Sequence, residues 1–406
     1  MRINVVVSGG TRRPACAAFA ALACMLAPGC SGGHPSGAPP DGPPDGPPDG
    51  QGCARVDPST GSCLCAPFQR EVPFRVNSAV SLGRGWGLVT NDLERTQTAS
   101  SHAGYARLDD DGTVLRTAPL DGVAWGERHQ LAWNGTELAY LSGSLAEAHL
   151  VFLTPDGAKT REGPGLDVGK ATASEVQTAP HGMVAPTELG YGVAYTVPAN
   201  NFAAFAFLAS TDADGAPPGP AASFGASAAG SRAFALGSIH GMVTMGWMEM
   251  RKVISQNAYA TSQSDAFDAG IASSPNLTTY PDDSGDGASD GSTMMFVVPD
   301  TVASFDGTTV QSQFLAGVQG IAWTGAAFLL TVSVQDSTGA SAAMVELRRD
   351  LTTSTPTMVF PPAVKADVST LAASAFTIAA DTRHALFGLF YTVGSVAHQA
   401  LSQVCL

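Results

Sequence analysis

The sequence has 406 residues, of which 14% are charged, and its formal net charge is −14, from 35 acidic residues against 21 Lys and Arg. Nucleic-acid binding requires clustered Lys and Arg, so this balance excludes nucleic acid as a predicted partner. The predicted folded region of roughly 340 residues exceeds one compact core of ordinary design, which favours a repeat architecture.

The N-terminus has the organisation of an export signal. Arg2, Arg12 and Arg13 form a positive region, and an uncharged apolar run follows from Ala15 to Ala27. A run of about 13 residues suits a signal peptide and is too short to span a bilayer, which needs roughly 20. Residues 1–29 are therefore predicted to be a cleaved signal peptide.

The apolar run ends in Leu26-Ala27-Pro28-Gly29-Cys30. This ending resembles the lipobox of bacterial lipoproteins, in which signal peptidase II cuts before a Cys that then carries diacylglycerol. It departs from the family pattern because Leu26 lies four residues before the Cys, where three is preferred. The resemblance implies lipidation of Cys30. Because Ser31 and not Asp follows, it also implies an outer-membrane or cell-surface location. The alternative is an ordinary signal cut near Ala23 or Gly29, which would give a periplasmic or secreted protein.

A tether is predicted from residue 30 to residue 52. This segment is built from Ser, Gly, Pro and Asp and contains the motif PPDG three times in succession. Such a segment has nothing to bury and stays solvated, and at roughly 3 Å per residue it would hold a domain about 50 Å from a membrane. Residues 53–406 are assigned to one β-propeller domain, which includes a Cys-rich segment at 53–66.

From Ala79 onward, short apolar runs alternate with Gly, Asp and Asn, which is the pattern of an all-β chain. An apolar strand after a polar turn recurs seven times, at intervals of 52, 53, 49, 54, 34 and 56 residues. Its anchors are Trp86, Leu138, Tyr191, His240, Met294, Phe328 and His384. About 20 residues further on, several units contain a strand followed by Asp-Gly, which predicts a primed hairpin turn.

Four short strands per unit at a period near 50 predict a β-propeller of about seven four-stranded blades. The short interval of 34 residues leaves six or eight blades open, and a β-sandwich pair or β-solenoid is the competing architecture. The segments Trp133–Tyr140 and Trp323–Leu330 resemble the W-x-G-x-x-[FY]-L repeats of bacterial surface lipoproteins with propeller domains. That resemblance implies an architecture and no activity.

The two ends of the chain are predicted to close the ring together. The last unit contains only three strands, at 375–378, 385–393 and 397–405, and a strand at 68–76 precedes the first full unit. Pro73 cannot donate a ladder hydrogen bond, so this strand is expected at an outer edge.

Four cysteines of the exported region, Cys53, Cys63, Cys65 and Cys405, predict two disulfides. The favoured pairing is Cys65–Cys405 with Cys53–Cys63, and the near alternative is Cys63–Cys405 with Cys53–Cys65. A third possibility leaves the first three cysteines in a separate N-terminal knot and Cys405 free.

No catalytic motif is found, and the eight histidines show no metal-ligand spacing. One segment has a calcium-loop spacing: Asp282, Ser284 and Asp286 fall at positions one, three and five, but position twelve is Thr293 instead of Glu. The competing interpretation of the stretch from Asp282 to Asp290 is a solvated surface insertion without any cofactor.

The sequence therefore predicts a membrane-tethered exported lipoprotein whose propeller is a non-enzymatic binding or scaffold module. Its expected partners are the membrane, through the lipid anchor, and an extracellular protein or glycan. The first alternative is an extracellular enzyme acting on glycans or esters, with carboxylates converging on the propeller channel. A structural envelope protein without a small ligand is the second. Two carboxylates meeting a His or Arg in the channel would favour the enzyme.

Overall fold

A computed structural model describes residues 67–92, 102–123, 130–144, 147–166, 181–198, 204–219, 221–224, 231–249, 252–258, 264–272, 285–298, 300–336, 339–360, 376–393 and 396–406. Within these ranges, 28 strands form seven four-stranded antiparallel sheets. In six of them, the four strands follow one another along the chain.

Blades 1 to 4 contain sixteen strands, in order from the first to the fourth strand of each blade. They are β2 (Phe74–Ser81), β3 (Trp86–Asp92), β4 (His102–Leu108) and β5 (Val114–Val123); β6 (Leu131–Trp133), β7 (Leu138–Ser144), β8 (Glu147–Leu153) and β9 (Lys159–Glu162); β10 (His181–Thr187), β11 (Gly190–Pro198), β12 (Ala204–Asp212) and β13 (Ala222–Phe224); and β14 (Ser231–Ile239), β15 (Met242–Glu249), β16 (Lys252–Ala258) and β17 (Ser264–Ala272).

Blades 5 to 7 contain the other twelve. They are β18 (Asp286–Ser289), β19 (Met294–Val298), β20 (Thr301–Phe305) and β21 (Val310–Phe314); β22 (Val318–Trp323), β23 (Phe328–Asp336), β24 (Gly339–Leu347) and β25 (Thr357–Met358); and β26 (Phe376–Ala380), β27 (His384–Val393), β28 (Val396–Cys405) and β1 (Phe68–Val72).

The first strands of the seven blades form a closed inner ring. They contact one another in the order β2, β6, β10, β14, β18, β22 and β26, and β26 returns to β2. Sheets arranged radially around such a ring define a β-propeller. The prediction of an all-β propeller of four-stranded blades is confirmed.

The hydrophobic core is divided among the interfaces between blades. Seven buried clusters are found in the described residues, and each joins two neighbouring blades. The cluster between blades 2 and 3, for example, packs Phe152 against Tyr191, with ring centroids 5.6 Å apart. Because both faces of each sheet are buried, the strands are apolar on both sides, and this explains why strict alternation is weak in the sequence.

The repeat is more regular than the sequence anchors indicated. The second strands of blades 1 to 5 begin at Trp86, Leu138, Gly190, Met242 and Met294, so four successive intervals are 52 residues long. The interval of 34 residues that follows contains the rest of blade 5. That blade has all four strands, but only residues 299–300 connect its second strand to its third, and only residues 315–317 connect its fourth strand to blade 6. Short connections, and not a missing blade, explain the interval.

The ring closes as the sequence predicted, with one correction to a strand boundary. β1 pairs antiparallel with β28 and supplies the fourth strand of blade 7. However, the predicted strand at 68–76 is two strands. β1 ends at Val72, and Phe74 begins the inner strand of blade 1. Pro73 lies between them, where its missing N–H breaks no ladder.

A second correction concerns His240, which the sequence anchors placed on a strand. His240 and Gly241 form the turn between β14 and β15, with φ values of 50° and 78°. Positive φ at both central residues is the pattern of a type I′ turn. In the described part of the chain, no helix is long and apolar enough to span a membrane.

Candidate functional site

The antiparallel strand order gives the propeller two different ends. Connections from first to second strand and from third to fourth strand lie at one end, which we call the tight-turn end. Connections from second to third strand and from one blade to the next lie at the other, which we call the loop end. The three longest gaps between consecutive strands, which follow β9, β17 and β25, begin and end at the loop end. Long connections on a rigid scaffold are common binding sites, so the loop end is the candidate functional surface.

Polar side chains at the tight-turn end are largely used by the turns themselves. Asp306 Oδ1 accepts the backbone N–H groups of Thr308 and Thr309 at 2.8 and 2.7 Å. Asp290 does the same for Ser292 and Thr293, both at 2.8 Å. These hydrogen bonds from backbone amides hold the pKa of Asp306 well below its usual range. The aspartates at this end are therefore turn-stabilising residues.

The Asp-Gly hairpins differ from the predicted primed type. Gly112 has a φ of 78° and donates to Asp109 O, while Asp109 N–H donates to Thr113 O. Asp111 does not share the positive φ. This is a type I turn followed by a left-handed Gly, which forms a three-residue hairpin loop with a bulge.

Three inner strands contain a β-bulge in the half of the strand that begins at the loop end. The extra residues are Asn77 in β2, Phe234 in β14 and Gln319 in β22. Bulges redirect side chains and are frequent beside functional sites. The Asn77 side chain is buried and donates to Asn91 Oδ1.

Between blades 1 and 2, a buried acceptor lies next to the Asn77 bulge. The backbone N–H of Gln130 donates to Ser78 Oγ at 3.1 Å, and Gln130 is 3% exposed. Its Oε1 finds no hydrogen-bond partner among the described residues. An unpaired buried acceptor costs about 1–3 kcal/mol, so this position suits a donor from an adjoining loop-end connection or from a bound molecule.

The inner ring contains very little acid–base chemistry. In the seven described inner strands, the single carboxylate is Asp286 of β18. Asp286 is fully buried, and its Oδ2 accepts the N–H of Ile321 on the inner strand of blade 6 at 2.9 Å. Its Oδ1 accepts the N–H of Gly287 at 2.9 Å. Asp286 thus joins two blades, and the inner strands bring no second carboxylate to it.

The position of Asp286 corrects the surface-insertion interpretation of the stretch from Asp282 to Asp290. Residues 286–289 form the inner strand of blade 5, and a Cβ at Gly287 would lie 2.5 Å from Ala235 Cβ. The small residues of this stretch, which suggested a solvated loop, are required because the strand packs closely against blade 4. Of the predicted calcium ligands, Asp282 and Ser284 lie outside the described residues, and no group of three metal-binding side chains occurs in the described ranges.

A second polar group lies at the loop-end edge of blade 7. Tyr391 donates to Glu71 Oε1 at 2.5 Å, and His398 stacks on Tyr391 with ring centroids 5.1 Å apart. The hydrogen bond from Tyr391 lowers the pKa of Glu71. Burial, together with the Glu71 carboxylate, raises the pKa of Tyr391 to about 12. At neutral pH the phenol therefore stays protonated, which suits it to joining β1 to β27 and not to nucleophilic attack.

The remaining predicted site residues fall mostly outside the described ranges. This applies to Cys30, Cys53, Cys63 and Cys65. Cys405 ends β28 at the tight-turn end and is disulfide-bonded. All other cysteines of the chain lie outside the described residues, so the pairing stays a prediction.

The features at the loop end were not found from the sequence. A bulge leaves no signature in residue type, and Gln130 and Asn77 gain their neighbours only when blades 1 and 2 pack together. The single sequence signal was a polar residue, such as Asn77 or Gln319, within a strand that is otherwise apolar.

No protein-family model and no curated protein sequence matches the chain. Solved structures similar to it include the β-propeller domain of the Trilobed protease from Pyrococcus furiosus, at 5% identity and a TM-score of 0.47, with 82% of this chain and 94% of that one covered. A protein from Lactobacillus plantarum matches at 13% identity and a TM-score of 0.44, over 69% of this chain and 83% of its own. A subtype N10 neuraminidase-like protein of A/little yellow-shouldered bat/Guatemala matches at 8% identity and a TM-score of 0.42, over 84% and 94%. The strand order of its own sheets identifies the chain as a β-propeller. The similarity to these structures is too distant to indicate an activity.

Proposed function

We propose that the protein is an exported lipoprotein, anchored through Cys30, whose propeller is a non-enzymatic binding or scaffold module. Its loop end would engage an extracellular protein or glycan. The anchor is supported by the export signal, the lipobox-like ending and the Pro/Gly/Asp tether.

The burial and hydrogen bonding of Asp286 support the non-enzymatic part of the proposal. Hydrolysis of glycosides commonly uses two carboxylates flanking the scissile bond. The described inner strands offer one carboxylate, which is fully buried and accepts two backbone hydrogen bonds. A carboxylate in that position stabilises the contact between two blades and is not accessible to a substrate.

The anchor is tested by membrane fractionation and radiolabelled palmitate in a bacterial host. Wild-type protein should sediment with membranes and incorporate label, whereas Cys30→Ala should do neither. Cys24→Ala, within the apolar run, is the matched control and should behave as wild type. Membrane association of Cys30→Ala, or a mature N-terminus elsewhere than Cys30, would contradict the anchor.

The binding function is tested with the full-length Cys30→Ala chain, which should be soluble. Immobilised glycans and cell-wall fragments should bind without being consumed. Chromogenic glycosides and esters should show no turnover. Turnover of these substrates by protein purified to homogeneity would contradict the binding module and favour the extracellular enzyme.

A further inference from the structure

The outer strand of blade 5 is an exposed sheet edge. β21 pairs with β20 and, in the described part of the chain, with no other strand. Residues 311–314 are all exposed, and Phe314 is 71% exposed. An edge strand offers unpaired N–H and C=O groups to another chain, and natural proteins block such edges with charged residues, with Pro or by keeping the strand very short.

β21 has none of these protections. Its sequence, Val-Gln-Ser-Gln-Phe, is five residues long and contains no charged residue and no Pro. The other outer strands in the described ranges are each charged or very short: β1, β5, β9 and β17 contain charged residues, and β13 and β25 have three and two residues. Blade 5 is therefore the blade to which a further strand can be added without a charge entering the new pair.

The hydrogen bonds at both ends of the β20–β21 pair define its ladder. Asp306 N–H donates to Thr309 O at the turn, and Leu315 N–H donates to Asp300 O at the opposite end. Hydrogen-bonded and non-hydrogen-bonded residue pairs alternate along an antiparallel ladder. Counting inward from either end gives the same assignment for every pair between them.

This alternation places every second backbone unit of β21 on its free edge. Gln311 and Gln313 lie in the pairs that exchange hydrogen bonds with β20. Residues 310, 312 and 314 therefore direct their N–H and C=O groups away from β20.

We infer that two copies of this chain form a symmetric dimer by antiparallel pairing of β21 with itself. With the pairing centred on Ser312, residue 310 lies opposite Phe314 of the second copy, and Gln311 lies opposite Gln313 of the second copy. The outward-facing residues then meet one another, so all their N–H and C=O groups find partners. A second copy fits this edge because a two-fold axis through Ser312 matches each position with one of similar chemistry and uses up both edges.

Charge also favours this edge for self-association. The formal net charge of −14 makes two copies repel each other, and like charges directly opposite in a ladder are destabilising. Residues 307–316 contain no charged side chain, so the symmetric pairing opposes none. Two five-residue strands bury less than the roughly 1,200 Å² of a standard protein interface, so the dimer is weak and reversible.

Sedimentation velocity of the full-length Cys30→Ala chain over a concentration series tests this dimer. The inference does not depend on the proposed anchor, and this variant removes the anchor from the measurement. We expect a reversible monomer–dimer equilibrium with a dissociation constant on the order of 100 µM.

A charge at the symmetry axis should prevent the pairing. Ser312→Lys, made in the same chain, should weaken dimerisation about ten-fold or more, because the two lysines lie directly opposite each other. Gln69→Lys adds the same charge at an exposed position of β1 and should leave self-association unchanged. Both variants should melt as the parent chain does, since both positions are exposed.

Hydrogen–deuterium exchange resolved to single amides locates the contact. At high protein concentration, the amides of residues 310, 312 and 314 should gain protection, while Gln311 and Gln313, already paired with β20, should change little. A dimer that folded Ser312→Lys leaves intact, or one that protects a different edge, would overturn the inference. A chain that stays monomeric up to about 1 mM would also overturn it and leave the edge open to a different protein.

Discussion

Single aspartates and glycines determine the geometry of the tight turns. An aspartate at the start of a turn accepts N–H groups that the hairpin leaves unpaired, as Asp381 does for Arg383 and His384 at 2.8 and 2.9 Å. The glycine that ends a third-to-fourth-strand turn takes a positive φ and also packs on the preceding blade. Gly157, for example, lies against Tyr105 of blade 1. The sequence pattern Asp-Gly was therefore informative about turns, but the contact with the neighbouring blade was not visible in it.

Gly157→Ala should destabilise the protein by about 2–5 kcal/mol. The φ of 80° is unfavourable for alanine by about 1–2 kcal/mol, and a Cβ would lie 2.2 Å from the Cδ1 atom of the fully buried Tyr105, which adds overpacking of about 1–3 kcal/mol. Gly135→Ala is the control, since it has a φ of 98° but open space around it, and it should cost only about 1–2 kcal/mol. Urea unfolding of both variants measures the difference, and equal costs would refute the packing argument.

Asp381 should make the protein sensitive to acid. Burial raises its pKa, but hydrogen bonds from His384, Ser81 and the Arg383 amide outweigh burial and hold the pKa at about 2. A folded-state pKa below the unfolded value of about 4 contributes stability above pH 4, and that contribution is lost as pH falls towards 2. Asp381→Asn should be less stable at pH 7 and should lose less stability between pH 4 and pH 2. A wild-type-like slope in thermal melts across that window would contradict this role.

At the scale of elements, the sequence located strands better than it located their boundaries. Six of seven second strands begin at or within one residue of their sequence anchors, because an apolar run after a polar turn is a local signal. β18 was missed because its residues, Asp-Gly-Ala-Ser, have a loop composition. Their burial follows from the neighbouring strands β14 and β22, which contact it from both sides and leave space only for small side chains. A property set by neighbours distant in sequence cannot be read from composition.

We expect β1, the closing strand, to be the least stable strand of the ring, because it is five residues long and pairs with another strand on one side only. Two buried hydrogen bonds reinforce its partner β28. Trp86 Nε1 donates to Gln403 Oε1 at 2.6 Å, and Gln403 Nε2 donates to Asp110 O at 2.8 Å. One amide side chain therefore joins blade 7 to two parts of blade 1.

Gln403→Leu should cost about 2–6 kcal/mol, because it leaves the Trp86 N–H and the Asp110 carbonyl buried and unpaired, at about 1–3 kcal/mol each. Gln69→Leu, an exposed position on β1, makes the same chemical change and should be nearly neutral. Thermal or urea unfolding compares the two variants. A Gln403→Leu variant as stable as Gln69→Leu would show that the Gln403 amide does not stabilise the contact between blades 7 and 1.

At the scale of the whole molecule, the ring distributes its core over seven blade interfaces and depends on one seam between the first and last strands. The sequence predicted this seam because the final unit lacked one strand and an unassigned strand preceded the first unit. The polar groups near the loop end could not be predicted, since their neighbours depend on which inner strands surround the channel. Asn77 and Gln319, for instance, are 242 residues apart in sequence.

The disulfide framework is tested by peptide mapping under non-reducing conditions. A linked fragment should join a peptide containing Cys63 or Cys65 to the C-terminal peptide, with Cys65–Cys405 and Cys53–Cys63 as the expected pairs. A bridge across about 340 residues would restrict the unfolded chain by up to ~5 kcal/mol. Recovery of Cys405 as a free thiol in the oxidised protein would rule out the covalent part of the closure.

The closure itself is tested most directly by hydrogen–deuterium exchange of the native protein. If the N-terminal strand completes blade 7, amides in β1 that pair with β28 should exchange slowly, at rates comparable with those of β28. Gln403→Leu should accelerate exchange in both strands together and leave blade 3 unchanged. Rapid exchange throughout residues 68–72 in the wild type, beside a protected β28, would contradict a ring closed by its two ends.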